Sequence, residues 1–173
     1  MDWSKAKNVL IAALLLANII LGQFYFGNLK QAKLENETAA VSTETYAKSL
    51  GIDLQAEIPK ETPKLPVLFV KIAQGDAVNE FEGYVIETEG VNGVCANALR
   101  SGSAKEEVIT ASAAMHKLIS EISDCDGLVI SDIKLVYWVD RSAYGSAEGE
   151  DTALPAWKFV CTDGAYYINA FGE

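Results

Sequence analysis

The side chains in this sequence able to do chemistry are one histidine, His116, three cysteines, Cys95, Cys125 and Cys161, and scattered carboxylates. Nucleophilic catalysis needs a base beside its serine or cysteine, and no nucleophile stands in a recognisable setting for His116 to activate. The chain has no G-x-S-x-G, no phosphate-binding Walker loop, no H-E-x-x-H and no dinucleotide fingerprint. The cysteines lie far apart with no C-x-x-C, so a zinc site would have to be assembled from remote pieces. They leave two arrangements open: one disulfide with one free thiol, or three small buried side chains. The carboxylates fall on polar strand faces and loops, where charge is solvated, and give no support to paired-carboxylate hydrolysis. The expectation is a protein that is not an enzyme and holds neither cofactor nor metal. His116 is expected to be a helix-flank residue.

One polar group does stand in a setting that gives it work. Asn18 lies inside Val9–Phe26, VLIAALLLANIILGQFYF, a run without a formal charge. As a helix the run reaches roughly 27 Å, near the hydrocarbon thickness of a bilayer. Lys5 and Lys7 precede it, and Phe24, Tyr25 and Phe26 close it with rings suited to the headgroup layer. It lacks a tidy cleavage site and is longer than the usual signal-peptide core, so it reads as a retained anchor with its N-terminus in the cytoplasm. Inside such a span an amide gains from a hydrogen bond to a neighbouring helix, worth about 0.5–2 kcal/mol. Leu14, Asn18 and Gly22 share one helical face, and Ala13 and Ala17 form a small-xxx-small pair beside it. These five are the expected contacts with a partner's membrane helix.

Beyond the anchor the chain is acidic. From Leu34 onward 23 acids face 10 bases, and the whole chain carries a formal charge of −10. Such a surface repels phosphates, which argues against nucleic acid and against docking on anionic lipid. The expected layout is a cytoplasmic tail at 1–8, a transmembrane helix at 9–26, a stalk and short helix at 27–50, and an extracytoplasmic domain at 51–173. Thr43 is placed to cap the short helix, with Gly51 past its end. Asn36-Glu37-Thr38 matches the glycosylation tripeptide, a pattern too short to inform by itself.

Within the domain, IDLQAEI alternates as a half-buried strand, and Pro59, Pro63 and Pro66 mark an extended linker. LPVLFVKI and FEGYVIETEG read as further strands. Residues 103–122 read as the principal helix, opened by a Ser103/Glu106 capping box and carrying Val108, Ala111, Met115, Leu118 and Ile122 on one stripe. IKLVYWV is a strand, and the polar loop after it ends in Glu148, Glu150 and Asp151. Its ligand order fits no EF-hand, so it reads as a solvated acidic loop. Asp163-Gly164 joins the last two strands as a hairpin. The fold class expected is α+β: an N-terminal single transmembrane helix, then an antiparallel sheet with one principal packed helix. Trp138, Trp157, Tyr166, Tyr167 and Phe171 fill the core by alternation, while the outward members among Trp138, Trp157, Tyr166 and Tyr167 would offer an extracytoplasmic partner patch.

Two stretches carry a resemblance. The opening MDWSKAKNVLIAALLLANIIL and the ending ALPAWKFVCTDGAYYINAFGE resemble the two ends of the YycI family, regulators of the WalK (YycG) sensor histidine kinase in Gram-positive bacteria. IDLQAEIPKETPKLPVL and IKLVYWVDRS match less closely, and the chain is shorter than typical members. The resemblance implies a non-catalytic single-pass regulator in the plasma membrane. It would act with a YycH-like protein, touch the kinase through membrane helices and adjust signalling in cell-wall homeostasis. The same ending also resembles PepSY-type modules, extracytoplasmic domains associated with protease inhibition, which is the alternative reading.

Overall fold

In the computed structural model one helix, α1 (Trp3–Ser49), runs through what the sequence divides into span, stalk and short helix. No proline interrupts this stretch, and the first residue with a left-handed backbone is Gly51, at φ +81°. The structure describes residues 3–75, 77–88, 94–123, 125–139 and 149–172, with backbone alone at 3–6, 8–10, 12, 13, 22, 24–30, 32 and 33. The chain separates into two compact units, Met1–Thr38 and Ala39–Glu173.

The transmembrane helix expected at the N-terminus is corrected here. Among the described residues no helix is long and apolar enough to cross a membrane. The side chains of Ala13, Gly22 and the Phe24–Tyr25–Phe26 cluster lie outside the described residues, as does most of the polar loop, 140–148.

Among the described residues the second unit is built on eight strands: β1 (Asp53–Leu54), β2 (Lys64–Gln74), β3 (Asn79–Phe81), β4 (Tyr84–Thr88), β5 (Val94–Glu107), β6 (Val129–Val139), β7 (Gly149–Cys161) and β8 (Gly164–Asn169). Their order is β3-β4-β6-β7-β2-β5, with β1 added beside β6 and β8 beside β7. The sheet is mixed rather than antiparallel, because β1 and β4 both run parallel to β6 (Asp53↔Val129, Ile86↔Tyr137). Parallel neighbours need long crossovers, and the chain supplies them: it leaves β4 and returns in β6 only after β5 and the helix α2 (Ala111–Glu121). The ends of the path approach each other. Asn79 Nδ2 donates to the Ala96 carbonyl at 2.8 Å and Thr88 Oγ1 to the Val94 carbonyl at 3.2 Å, which curls the sheet towards a barrel.

The expected 103–122 helix opens as strand. ALRSGSAKEE extends β5 along β2 as far as Glu107, and the helix starts only after Thr110, whose side chain accepts the Ala113 N–H. Ser103 and Glu106 therefore form no capping box. Pairing with β2 overrides the helix preference of Ala, Lys and Glu, a preference of tenths of a kcal/mol per residue. Gly102 sits where the register shifts, with the Val67 carbonyl 3.2 Å from where a Cβ would stand. Pro66 belongs to β2 rather than to a linker, at the same irregularity, and its carbonyl accepts the buried Tyr137 hydroxyl at 3.1 Å. IDLQAEI keeps its alternation but supplies only the two strand residues of β1.

Helix packing also differs from a single principal helix. Besides α2, the end of α1 packs on the domain through Ala40, Thr43 and Ala47. Thr43 caps nothing. The core is centred on Trp157, Tyr137, Phe159, Leu68 and Ile72 with Met115 of α2, and Phe81 and Tyr84 set their ring edges against Tyr137.

Candidate docking surface on the outer face of the sheet

Strand alternation divides the aromatic residues between two faces. On β7, Trp157 and Phe159 point inward and pair with Leu135 and Ile133 of β6. Trp157 is 2% exposed, and its indole N–H donates to the Ile109 carbonyl at 2.9 Å, tying the approach to α2 onto the sheet. Tyr166 lies opposite Phe159 on that same face, with its hydroxyl on Asp163 of the hairpin turn. This hydrogen bond raises the Tyr166 phenol above its usual range. Of the four aromatic residues expected in a partner patch, these two are therefore turned away from it.

The other two meet. Trp138 of β6 and Tyr167 of β8 point outward and stack across β7, with ring centroids 5.5 Å apart and planes 8° from parallel. In register they stand at the levels of Leu154 and Lys158, on either side of Ala156. Both side chains lean over that small residue, and Ala156 and its neighbour Val136 are buried although they face outward. A larger residue at 156 would occupy the space the rings use.

Charge is built onto the same stack. Lys158, between the two aromatic strands, places Nζ 5.5 Å from the centre of the Tyr167 ring and donates to Glu87 Oε2 at 2.6 Å. The Tyr167 hydroxyl donates to that same oxygen at 2.7 Å. Glu87 is brought there by β4, opposite Trp138 in the parallel pair with β6. The side chains of Lys158 and Glu87 are 16% and 20% exposed, so each bond is partly shielded from water and stronger than a free surface pair. The Trp138 indole nitrogen is buried and has no partner among the described residues. Further along the face, Arg100 of β5 lies 4.2 Å over the Phe69 ring.

This arrangement offers shaped, partly apolar surface with fixed polar groups, and its carboxylate and phenol are engaged with each other rather than with a reacting group. The remaining residues singled out in the sequence lie elsewhere. Leu14, Ala17 and Asn18 are exposed on α1 in the first unit. His116 shares a hydrogen bond of 3.2 Å with Thr43 and sits 5.2 Å from the Tyr46 ring. The three cysteines are unpaired thiols, and burial together with the Asp163 charge pushes that of Cys161 up to about 11. Among the described residues no group of His, Cys, Asp and Glu is placed to hold a metal.

Lys158 and Glu87 were missed by sequence reasoning. The Lys158–Tyr167 contact was within reach, since the hairpin turn fixes the β7–β8 register and puts the two on one face. Glu87 had no local signal, because its position depends on the parallel pairing of β4 with β6. Comparison with protein-family models, curated proteins and solved structures found no match.

Proposed function

We propose that this chain is a non-catalytic regulator that works by binding another protein through the outer face around Trp138 and Tyr167. The observation that carries this reading is the Trp138–Tyr167 stack, braced by Lys158 and Glu87 on the partly exposed outer face of the sheet. Tryptophan and tyrosine dominate the binding energy of protein interfaces, and a pre-ordered pair loses little side-chain freedom on docking. The resemblance of the chain's two ends to the YycI family supplies the partner class. It is a sensor histidine kinase of the WalK (YycG) type, acting with a YycH-like protein at the plasma membrane in Gram-positive cell-wall control. The proposal uses the domain and calls on no membrane-spanning segment.

Reconstitution of such a kinase in vesicles, with and without the full-length protein, tests it. Added protein should change the autophosphorylation rate, and Trp138→Ala or Tyr167→Ala should abolish the change while the protein stays folded by circular dichroism. An unchanged rate with the wild-type chain sinks the proposal. The compactness of Ala39–Glu173 as a separate unit favours a second reading, a PepSY-like inhibitor module. Inhibition of a secreted protease by the full chain, with no effect on the kinase, would select that reading.

A further inference from the structure

We infer that the last turns of α1, from Ala39 to Ser49, form a releasable strap on the domain, latched by the Thr43–His116 contact and hinged at Gly51. The stretch buries only three small side chains, Ala40, Thr43 and Ala47, while Val41 and Tyr46 remain 65% and 44% exposed. Little apolar surface therefore holds it down, since burial energy scales with the area removed from water. Among the described residues its backbone makes one hydrogen bond past the hinge, the Ala47 carbonyl accepting the Ile52 N–H at 3.1 Å, and the next tie is Gly51, whose carbonyl accepts the Gly127 N–H at 3.1 Å. Asp53 then donates to the Leu128 carbonyl at 2.8 Å, and β1 follows.

The latch is specific where the packing is not. Thr43 is 1% exposed, and its hydroxyl shares the 3.2 Å hydrogen bond with His116 Nε2, a residue on α2. The same imidazole lies against the Tyr46 ring one turn further on. One α2 side chain thus holds two successive turns of α1. A buried hydroxyl that loses its partner destabilises the bound position of the strap well beyond the loss of an exposed contact. The hinge is fixed by the backbone. Gly51 has φ +81°, and a Cβ there would collide with Asp126 Oδ1. A side chain is thereby excluded at 51, and release of the strap has to break the Ile52–Ala47 hydrogen bond that spans it. Beyond it β1 pairs with the start of β6, the strand whose far end carries Trp138.

Amide hydrogen exchange on the full-length protein tests this. His116→Ala and Thr43→Val should each speed exchange within 39–49 by about tenfold or more, with exchange in β2, β6 and β7 unchanged. His116→Gln, whose amide can still reach Thr43, should restore most of the protection. Unchanged exchange at 39–49 in both variants overturns the latch. Equal acceleration throughout the domain overturns the strap, since the contact would then serve global stability alone.

Discussion

Trp138 and Tyr167 stack at 5.5 Å across an intervening strand, so their contact needs β6, β7 and β8 in register at the same time. It reports on the assembly of the outer face as a whole. Lys158 and Glu87 fix the same register from a fourth strand, β4. Replacing Ala156 with Leu puts a branched side chain where the rings meet. That variant should lose about 1–3 kcal/mol of stability. Chemical denaturation measures the loss, and near-ultraviolet circular dichroism should show the aromatic signal reduced before unfolding.

The two indole nitrogens give a sharper comparison. The Trp157 N–H is spent on the Ile109 carbonyl, whereas that of Trp138 has no partner among the described residues. Trp157→Phe leaves a partly buried carbonyl without its donor and removes core volume, for about 2–4 kcal/mol. Trp138→Phe deletes a donor that costs energy where it is, and keeps a ring to stack on Tyr167. Its net effect should lie within about 1 kcal/mol of zero. Equal losses in urea unfolding would show that the environment of the indole nitrogen does not decide the outcome.

A double-mutant cycle on Lys158 and Glu87 should return a coupling of about 1 kcal/mol or more, because both side chains are largely covered. The Lys48–Glu44 pair is just as short, at 2.7 Å, but 62% and 47% exposed. Its coupling should be about 0.3–0.5 kcal/mol and should fade in salt. A cycle that ranks the two the other way would mean shielding does not set their strength.

Much of the sheet was legible where local chemistry governs. The hairpin signal at Asp163-Gly164 places β7 against β8, and the loop is Thr162-Asp163 with Gly164 opening β8. IKLVYWV alternates in sequence, and in the strand the face that carries Ile133, Tyr137 and Val139 is the inward one. Where tertiary pairing governs, the sequence misleads. ALRSGSAKEE carries helix formers yet lies along β2, and its side chains from Asn97 onward are mostly exposed, so no periodicity marks it as strand. Thr43 looks like a cap because caps are local, but its partner is a histidine on a different helix. Of the patch residues, Trp138 and Tyr167 could be named from sequence. That they touch each other, and not Trp157 or Tyr166, follows from the three-strand register.

The buried thiol and phenol predict how stability varies with alkali. Burial first, and the Asp163 charge second, raise the Cys161 thiol from 9.0 to about 11, and burial raises the Tyr137 phenol above its ordinary 10.0. In both cases the folded state holds its proton where the unfolded chain has released it. Their contribution is therefore complete below pH 9, and that of Cys161 is lost as pH rises from 9 through about 11, with Tyr137 adding to the decline above 10. Urea midpoints measured from pH 8 to 11 should fall steadily. Cys161→Ala should flatten the part of the decline that begins near pH 9, and a slope unchanged in that variant would assign it to other groups. Thiol labelling at pH 8 should reach the partly exposed Cys125 well before Cys95 or Cys161, which are buried.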